Sequence, residues 1–137
     1  MPLDHMGIEV TIATHAEVVA AYQAALAPLG YTLQMSFGGE DFPEHPGVIG
    51  AGLGDGPPDF WIIAKPEFVS PHAIHFAFRA SSRALVRETY EAAIKAGFTP
   101  NGEPGLRAGT HPNYYAAFFK DQHLNRVEVV CHLPEDS

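Results

Sequence analysis

The chain has 137 residues, 46% of them hydrophobic, enough for one domain or for two small modules sharing a core. Sixteen Asp and Glu against eight Lys and Arg give a formal charge of −8, which argues against a nucleic-acid or anionic-membrane surface. A single cysteine, Cys131, excludes an intrachain disulfide. With no leader-like opening and no apolar run of spanning length, a soluble cytoplasmic protein is the expectation.

From His5 to Thr11 apolar and polar residues alternate, which predicts a strand. Thr14 to Glu17 fits a capping box, and Val18, Tyr22, Ala25, Leu26 and Leu29 follow as one helical stripe closed by Pro28 and Gly30. Strands are expected over 31–37, 48–53 and 59–64, with an acidic, glycine-rich loop over 38–47. Lys65 to Pro71 reads as a linker. The pattern then restarts. A strand over 72–80 leads to a helix capped by Ser81 or Ser82, with Val86, Tyr90, Ala93 and Ile94 as its stripe and Gly97 as its stop. Phe98 opens a strand that fades into a loop over 101–109. Strands follow over 113–120 and 126–132, and the tail is loose.

The order strand, helix, three strands thus occurs twice, in modules spanning 1–65 and 72–137. Ala24-Ala25 ahead of Gly30-Tyr31-Thr32 matches Ala92-Ala93 ahead of Gly97-Phe98-Thr99, and the step of 67 residues from Gly30 to Gly97 also carries Trp61 onto Glu128. Strand parity sorts the side chains. His5, Gly7 and Glu9 oppose Met6, Ile8 and Val10. His75, Ala77 and Arg79 oppose Ile74, Phe76 and Phe78. Glu128 opposes Val127, Val129 and Cys131, and Trp61 with Ile63 opposes the buried face of its own strand. The apolar sides are expected to carry the helices, and the small and ionisable sides to line a cleft.

A duplicated unit of this kind, opening with Asp4-His5, reopening with His75-Phe76-Ala77-Phe78 and ending in Asp121-Gln-His-Leu-Asn125-Arg-Val-Glu128, resembles the vicinal oxygen chelate superfamily over nearly the whole chain. That group includes glyoxalase I, extradiol dioxygenases and bleomycin-resistance proteins. The resemblance implies an α+β fold of two βαβββ modules, a curved mixed sheet around a cleft with helices outside. It also implies inward ligands at the positions of His5, Trp61, His75 and Glu128. Tryptophan cannot bind a metal, so His5, His75 and Glu128 remain, a set that suits Fe(II) and is open to Mn, Ni or Zn. Leu124 stands where the family motif has glycine.

The implied activity is a divalent-metal-dependent reaction on a small molecule with vicinal oxygens, dioxygenase-like or lyase/transferase-like. A non-catalytic small-molecule-binding protein without metal is the competing reading. His111 and one inward tyrosine of Tyr114 and Tyr115 are candidates for acid–base and oxyanion-stabilising roles. Trp61, Arg79, Arg107 and Glu9 are candidates for substrate binding, with Glu9 and Arg79 a possible ion pair. A homodimer is expected, with neither nucleic acid nor membrane as partner.

Overall fold

The computed structural model describes residues 3–38, 41, 43, 46–66 and 73–135. Of the expected linker over 65–71 only Lys65 and Pro66 are among the described residues, and His72, the start of the next expected strand, lies outside them. Among the described residues, eight strands and two α-helices follow in the order β1 (Met6–Thr11), α1 (His15–Leu26), β2 (Thr32–Phe37), β3 (Ile49–Gly54), β4 (Phe60–Lys65), β5 (His75–Arg79), α2 (Arg83–Lys95), β6 (Thr99–Leu106), β7 (Tyr115–Lys120) and β8 (Arg126–Cys131). A 3-10 turn, Ala27–Leu29, ends α1 at Pro28, and Gly30 follows with φ 84°. The chain divides into two compact units, residues 1–23 with 30–72, and 24–29 with 73–137. No helix among the described residues is long and apolar enough to cross a membrane.

In the first unit the sheet order is β1-β4-β3-β2, with β1 and β4 parallel and the other pairs antiparallel. Alternation buries Ile8, Val10, Phe60, Ile62 and Ala64 on one side of this sheet, where Val18 and Tyr22 of α1 meet them. Tyr22 and Phe60 stand 5.0 Å apart, ring centre to ring centre. The helix begins where Thr14 signals it, and the Val18 N–H donates to the Thr14 carbonyl at 2.9 Å.

The second unit repeats the plan, with order β5-β8-β7-β6 and β5 parallel to β8. Phe76, Phe78, Val127, Val129 and Phe119 point to the α2 side, joined by Phe98, whose ring meets Phe119 edge-on at 5.2 Å. Ser82 caps α2, its hydroxyl accepting from the Leu85 N–H at 3.1 Å. The buried stripe of α2 is Val86, Thr89 and Ala93, while Tyr90 and Ile94 are only half-buried. Cys131 is a free, fully buried thiol.

The largest departure from the sequence pattern is β6. It runs to Leu106 where a loop was expected from 101, because register shifts between Pro100 and Gly105 absorb the proline and glycines without ending the pairing with β7.

Candidate functional site

The site is built on β8 and its approach. Asp121 closes the turn before this strand. Its Oδ1 accepts from the backbone N–H groups of His123 and Asn125, both at 2.9 Å, and its Oδ2 accepts from Asn125 Nδ2 at 2.9 Å. Asp121 and Asn125 are both buried. The Asn125 side-chain oxygen then accepts from the Ile74 N–H at 3.1 Å, and the Arg126 N–H donates to the Ile74 carbonyl at 2.8 Å. These bonds fix the start of β5 against the start of β8, so His75 and Glu128 are set by one hydrogen-bonded corner. Leu124 sits inside the turn with φ 66°, the only non-glycine residue with positive φ among the described residues. The turn therefore keeps the left-handed geometry that a glycine would supply, because Asp121 and Asn125 impose it.

Glu128 is 3% exposed, in the middle of β8, a costly place for a carboxylate without partners. Two groups meet it. His75 Nε2 lies 3.1 Å from Oε1, and the Tyr114 hydroxyl donates to Oε2. Tyr114 is held by its backbone, whose carbonyl accepts from the Arg107 N–H at 2.7 Å and whose N–H donates to the His111 carbonyl at 3.1 Å. Burial raises the Tyr114 hydroxyl to about 12, helped by the bond to Glu128 and by its negative charge. At neutral pH Tyr114 is thus a proton donor and not a phenolate.

Two histidines complete the cluster. The Asn113 N–H donates to His111 Nδ1 at 3.1 Å, which places the proton of neutral His111 on Nε2. That nitrogen lies 2.9 Å from His132 Nδ1 and donates to it, so neutral His132 carries its own proton on Nε2. The Tyr114 ring meets both imidazoles edge-on, each at 5.3 Å. His75, Glu128, Tyr114, His111 and His132 therefore form one connected set inside the second unit. The arrangement offers a buried carboxylate, a neutral phenol and oriented imidazoles, the groups needed to hold a cation or to pass a proton.

The remaining expected residues fall elsewhere. Of the two tyrosines, Tyr114 joins Glu128. Tyr115 turns to the helix side, its hydroxyl accepting from Arg87 Nη1 at 3.2 Å and the Arg83 guanidinium standing 5.3 Å from its ring centre. Tyr115 is therefore not part of the cluster. Glu9 pairs with Lys65 Nζ at 2.9 Å within the first unit. Arg79 is exposed on β5. Arg107 lies over the Phe118 ring, 5.4 Å from its centre. Trp61 is half-buried on the sheet face away from α1, 5.9 Å from the Phe37 ring. His5, just ahead of β1, has its Nδ1 2.5 Å from Asp4 Oδ2. Among the described residues, no three His, Cys, Asp or Glu side chains are gathered as a metal site. His132 was outside the expected set, although it shares the parity of Glu128, and that alternation was the signal for it.

No family model matches the sequence. No curated protein matches it either. Solved structures do. A glyoxalase/bleomycin resistance protein from Albidiferax ferrireducens T118 superposes with a TM-score of 0.67 at 20% identity, over 93% of this chain and 97% of that one. A glyoxalase/bleomycin resistance protein/dioxygenase family enzyme from Burkholderia phytofirmans PsJN gives 0.67 at 18% identity, over 97% and 100%. A glyoxalase I mutant from Zea mays gives 0.71 at 19% identity, over 96% of this chain but 47% of the maize chain. With two βαβββ units of matching topology and these neighbours, the chain has the fold of the glyoxalase, bleomycin-resistance and dioxygenase proteins, the vicinal oxygen chelate fold.

Proposed function

We propose that this protein is a divalent-metal-dependent enzyme acting on a small molecule with vicinal oxygens, with His5, His75 and Glu128 as ligands of the ion. The observation that carries the reading is the spacing of His75 Nε2 and Glu128 Oε1, 3.1 Å. Adjacent ligands at right angles, each about 2.1 Å from one ion, stand roughly 3.0 Å apart, so these two atoms have the separation of neighbouring ligands. Two imidazoles and a carboxylate suit Fe(II), with Mn, Ni and Zn as other occupants. A divalent ion there would polarise the substrate oxygens. Tyr114 commits its one hydroxyl proton to orienting the Glu128 carboxylate, and His132 Nε2–H, at the end of the His111–His132 pair, is the donor left for a bound oxyanion. Whether the chemistry is dioxygenase-like or lyase/transferase-like depends on the substrate. The same reading makes the protein a cytoplasmic homodimer.

The competing reading is a metal-free binding protein. It is favoured by the engagement of both Glu128 oxygens within the protein, Oε2 by the Tyr114 hydrogen bond and Oε1 by the His75 imidazole 3.1 Å away. Metal analysis of protein purified without chelator or nickel resin separates the two. One equivalent of a divalent metal, lost in His5→Ala, His75→Ala and Glu128→Ala, supports the enzyme. A parent protein that binds no divalent ion leaves the metal-free reading in its place.

A further inference from the structure

Of the eight Lys and Arg residues in the chain, four lie on one face of the second sheet: Arg79, Arg107, Lys120 and Arg126. Register arranges that face in rows. His75, Arg126 and Lys120 stand side by side across β5, β8 and β7. Ala77, Glu128 and Phe118 form the next row, and Arg79, Val130 and Ala116 the third. The opposite parity, with Phe76, Val127 and Phe119, is buried on the α2 side. Strands stand about 4.8 Å apart and residues two apart along a strand about 6.7 Å, so Arg126 and Arg79 project within about 10 Å of Glu128.

Arg107 reaches this face from the end of β6. Its guanidinium lies over Phe118, the cross-strand partner of Glu128, and its Nη2 donates to the Glu103 carbonyl at 2.8 Å. Two glycines make room for it. A Cβ at Gly105 would stand 3.1 Å from Arg107 Nη1, and one at Gly102 would stand 2.9 Å from the Phe118 ring and 3.4 Å from Nη2. One edge of the guanidinium is fixed, which leaves further N–H groups to meet a ligand.

This arrangement is unfavourable by itself. Lys120 and Arg126 are directly opposite, and like charges in that position destabilise a sheet. The acids of the second sheet and of the turn between β7 and β8 are Glu103, Glu128 and Asp121, and Glu103 meets Arg107 through its backbone carbonyl. Glu128 is engaged by His75 and Tyr114, and Asp121 accepts three hydrogen bonds within its turn. Among the described residues none of the four cations has a carboxylate partner, in a chain whose acids outnumber its bases two to one. A cluster of like charge without counter-charges beside a buried functional group marks a place where a ligand brings the opposite sign.

We propose that the ligand of the His75–Glu128 site is a small molecule bearing an anionic group, a carboxylate or a phosphate-type group, and that Arg107 binds that group while Lys120 and Arg126 attract it. Arginine is suited to the role because its planar fork can take two oxygens of either anion. The inference deepens the functional reading above and rests on it for the location of the site.

The test compares catechol with 3,4-dihydroxybenzoate, which share two vicinal oxygens and differ by a carboxylate. Calorimetry is done on the full chain, once metal-free and once loaded with Mn²⁺. The acid is expected to bind at least tenfold more tightly than catechol in both forms, with the preference shrinking as NaCl is raised. Arg107→Gln should reduce the preference to less than threefold, with the unfolding temperature near that of the parent. Arg107→Lys should retain part of it. Equal binding of the two compounds, failure of the acid to bind, or an undiminished preference in Arg107→Gln overturns the proposal. A preference for the acid in a protein that takes up no metal would remove the metal reading and leave this one standing.

Discussion

Trp61 and Glu128 occupy the same station in two copies of one sheet. In the first unit Trp61 lies between Gly7 on β1 and Gly52 on β3, and in the second Glu128 lies between Ala77 on β5 and Phe118 on β7. The bulk is exchanged across the pair. Gly52 leaves room for the indole, since a Cβ there would stand 2.9 Å from the ring, whereas Phe118 supplies the ring beside the smaller Glu128. Charge differs in the same way. Glu9 is neutralised by Lys65, but Arg79, at the matching place on β5, has no acid partner among the described residues. One topology thus carries an aromatic face in one copy and an ionisable one in the other, so fold alone does not assign the chemistry.

The largest test of this asymmetry is removal of the carboxylate. Glu128→Ala should weaken divalent-metal affinity at least 100-fold by calorimetry, about 3 kcal/mol, because it removes the one carboxylate of the proposed set. Trp61→Phe should change it less than twofold. Equal losses in the two variants would mean that Glu128 does not act as a ligand.

Much of this was legible in the sequence, for reasons that particular residues make plain. The step from Trp61 to Glu128 was readable because the Gly30 and Gly97 helix stops are 67 residues apart, the same step that carries one onto the other, although the strand starts His5 and His75 are 70 apart; the observed registers place Trp61 and Glu128 in matching rows. Which of Tyr114 and Tyr115 faces Glu128 was not readable. They are adjacent, and only the start of β7 at Tyr115 sets the parity. The pairing of Glu9 was also hidden, because Lys65 is its neighbour only through the parallel β1–β4 pairing, two residues beyond the Ile63 that stands opposite Glu9. β6 was misread at Gly102 and Gly105, since bulged strands use the residues that mark loops.

Next in size is the exchange of bulk. Gly52→Ala would bring a methyl group to 2.9 Å from both Pro58 Cβ and the Trp61 ring, so the strand or the indole must shift. We expect a loss of about 2 kcal/mol in urea unfolding, together with a change in Trp61 fluorescence. A neutral outcome would show that the aromatic face is loosely packed.

Each unit also pairs a tyrosine with a carboxylate. The Tyr31 hydroxyl donates to Asp59, lying 2.8 and 2.9 Å from its two carboxylate oxygens, and Tyr114 donates to Glu128 Oε2. Both hydroxyls are raised above the ordinary value of 10.0, chiefly by burial. A raised tyrosine is protonated in the folded state where the unfolded chain has begun to ionise. Its contribution is therefore complete below pH 10 and is lost as pH rises toward about 12 for Tyr114. Tyr114→Phe should cost about 1 kcal/mol near neutrality and flatten the alkaline fall in stability. Tyr31→Phe should flatten it independently, and a steep fall surviving both changes would place its origin elsewhere.

The smallest effect concerns the turn that sets β8. Leu124 has φ 66° and is 62% exposed, so its side chain contributes little packing while its backbone is strained. The left-handed region costs a leucine about 1 kcal/mol relative to glycine, and the greater freedom of glycine in the unfolded chain takes back about half of that. Leu124→Gly should therefore raise stability by roughly 0.5 kcal/mol, whereas Leu124→Ile, β-branched at the same φ, should lower it by about 1 kcal/mol. Ligand and metal affinities should not move in either variant, because Glu128 is oriented through Asp121, Asn125 and Ile74 and not through the leucine side chain. The first unit has no matching turn ahead of its tryptophan. Asp59 and Phe60 follow Asp55-Gly56-Pro57-Pro58, and the Asp59 N–H returns to the Leu53 carbonyl at 3.0 Å. If Leu124→Gly lowers stability, leucine contacts hold the turn, and the buried Asp121–Asn125 pair is not what fixes the corner on which the site stands.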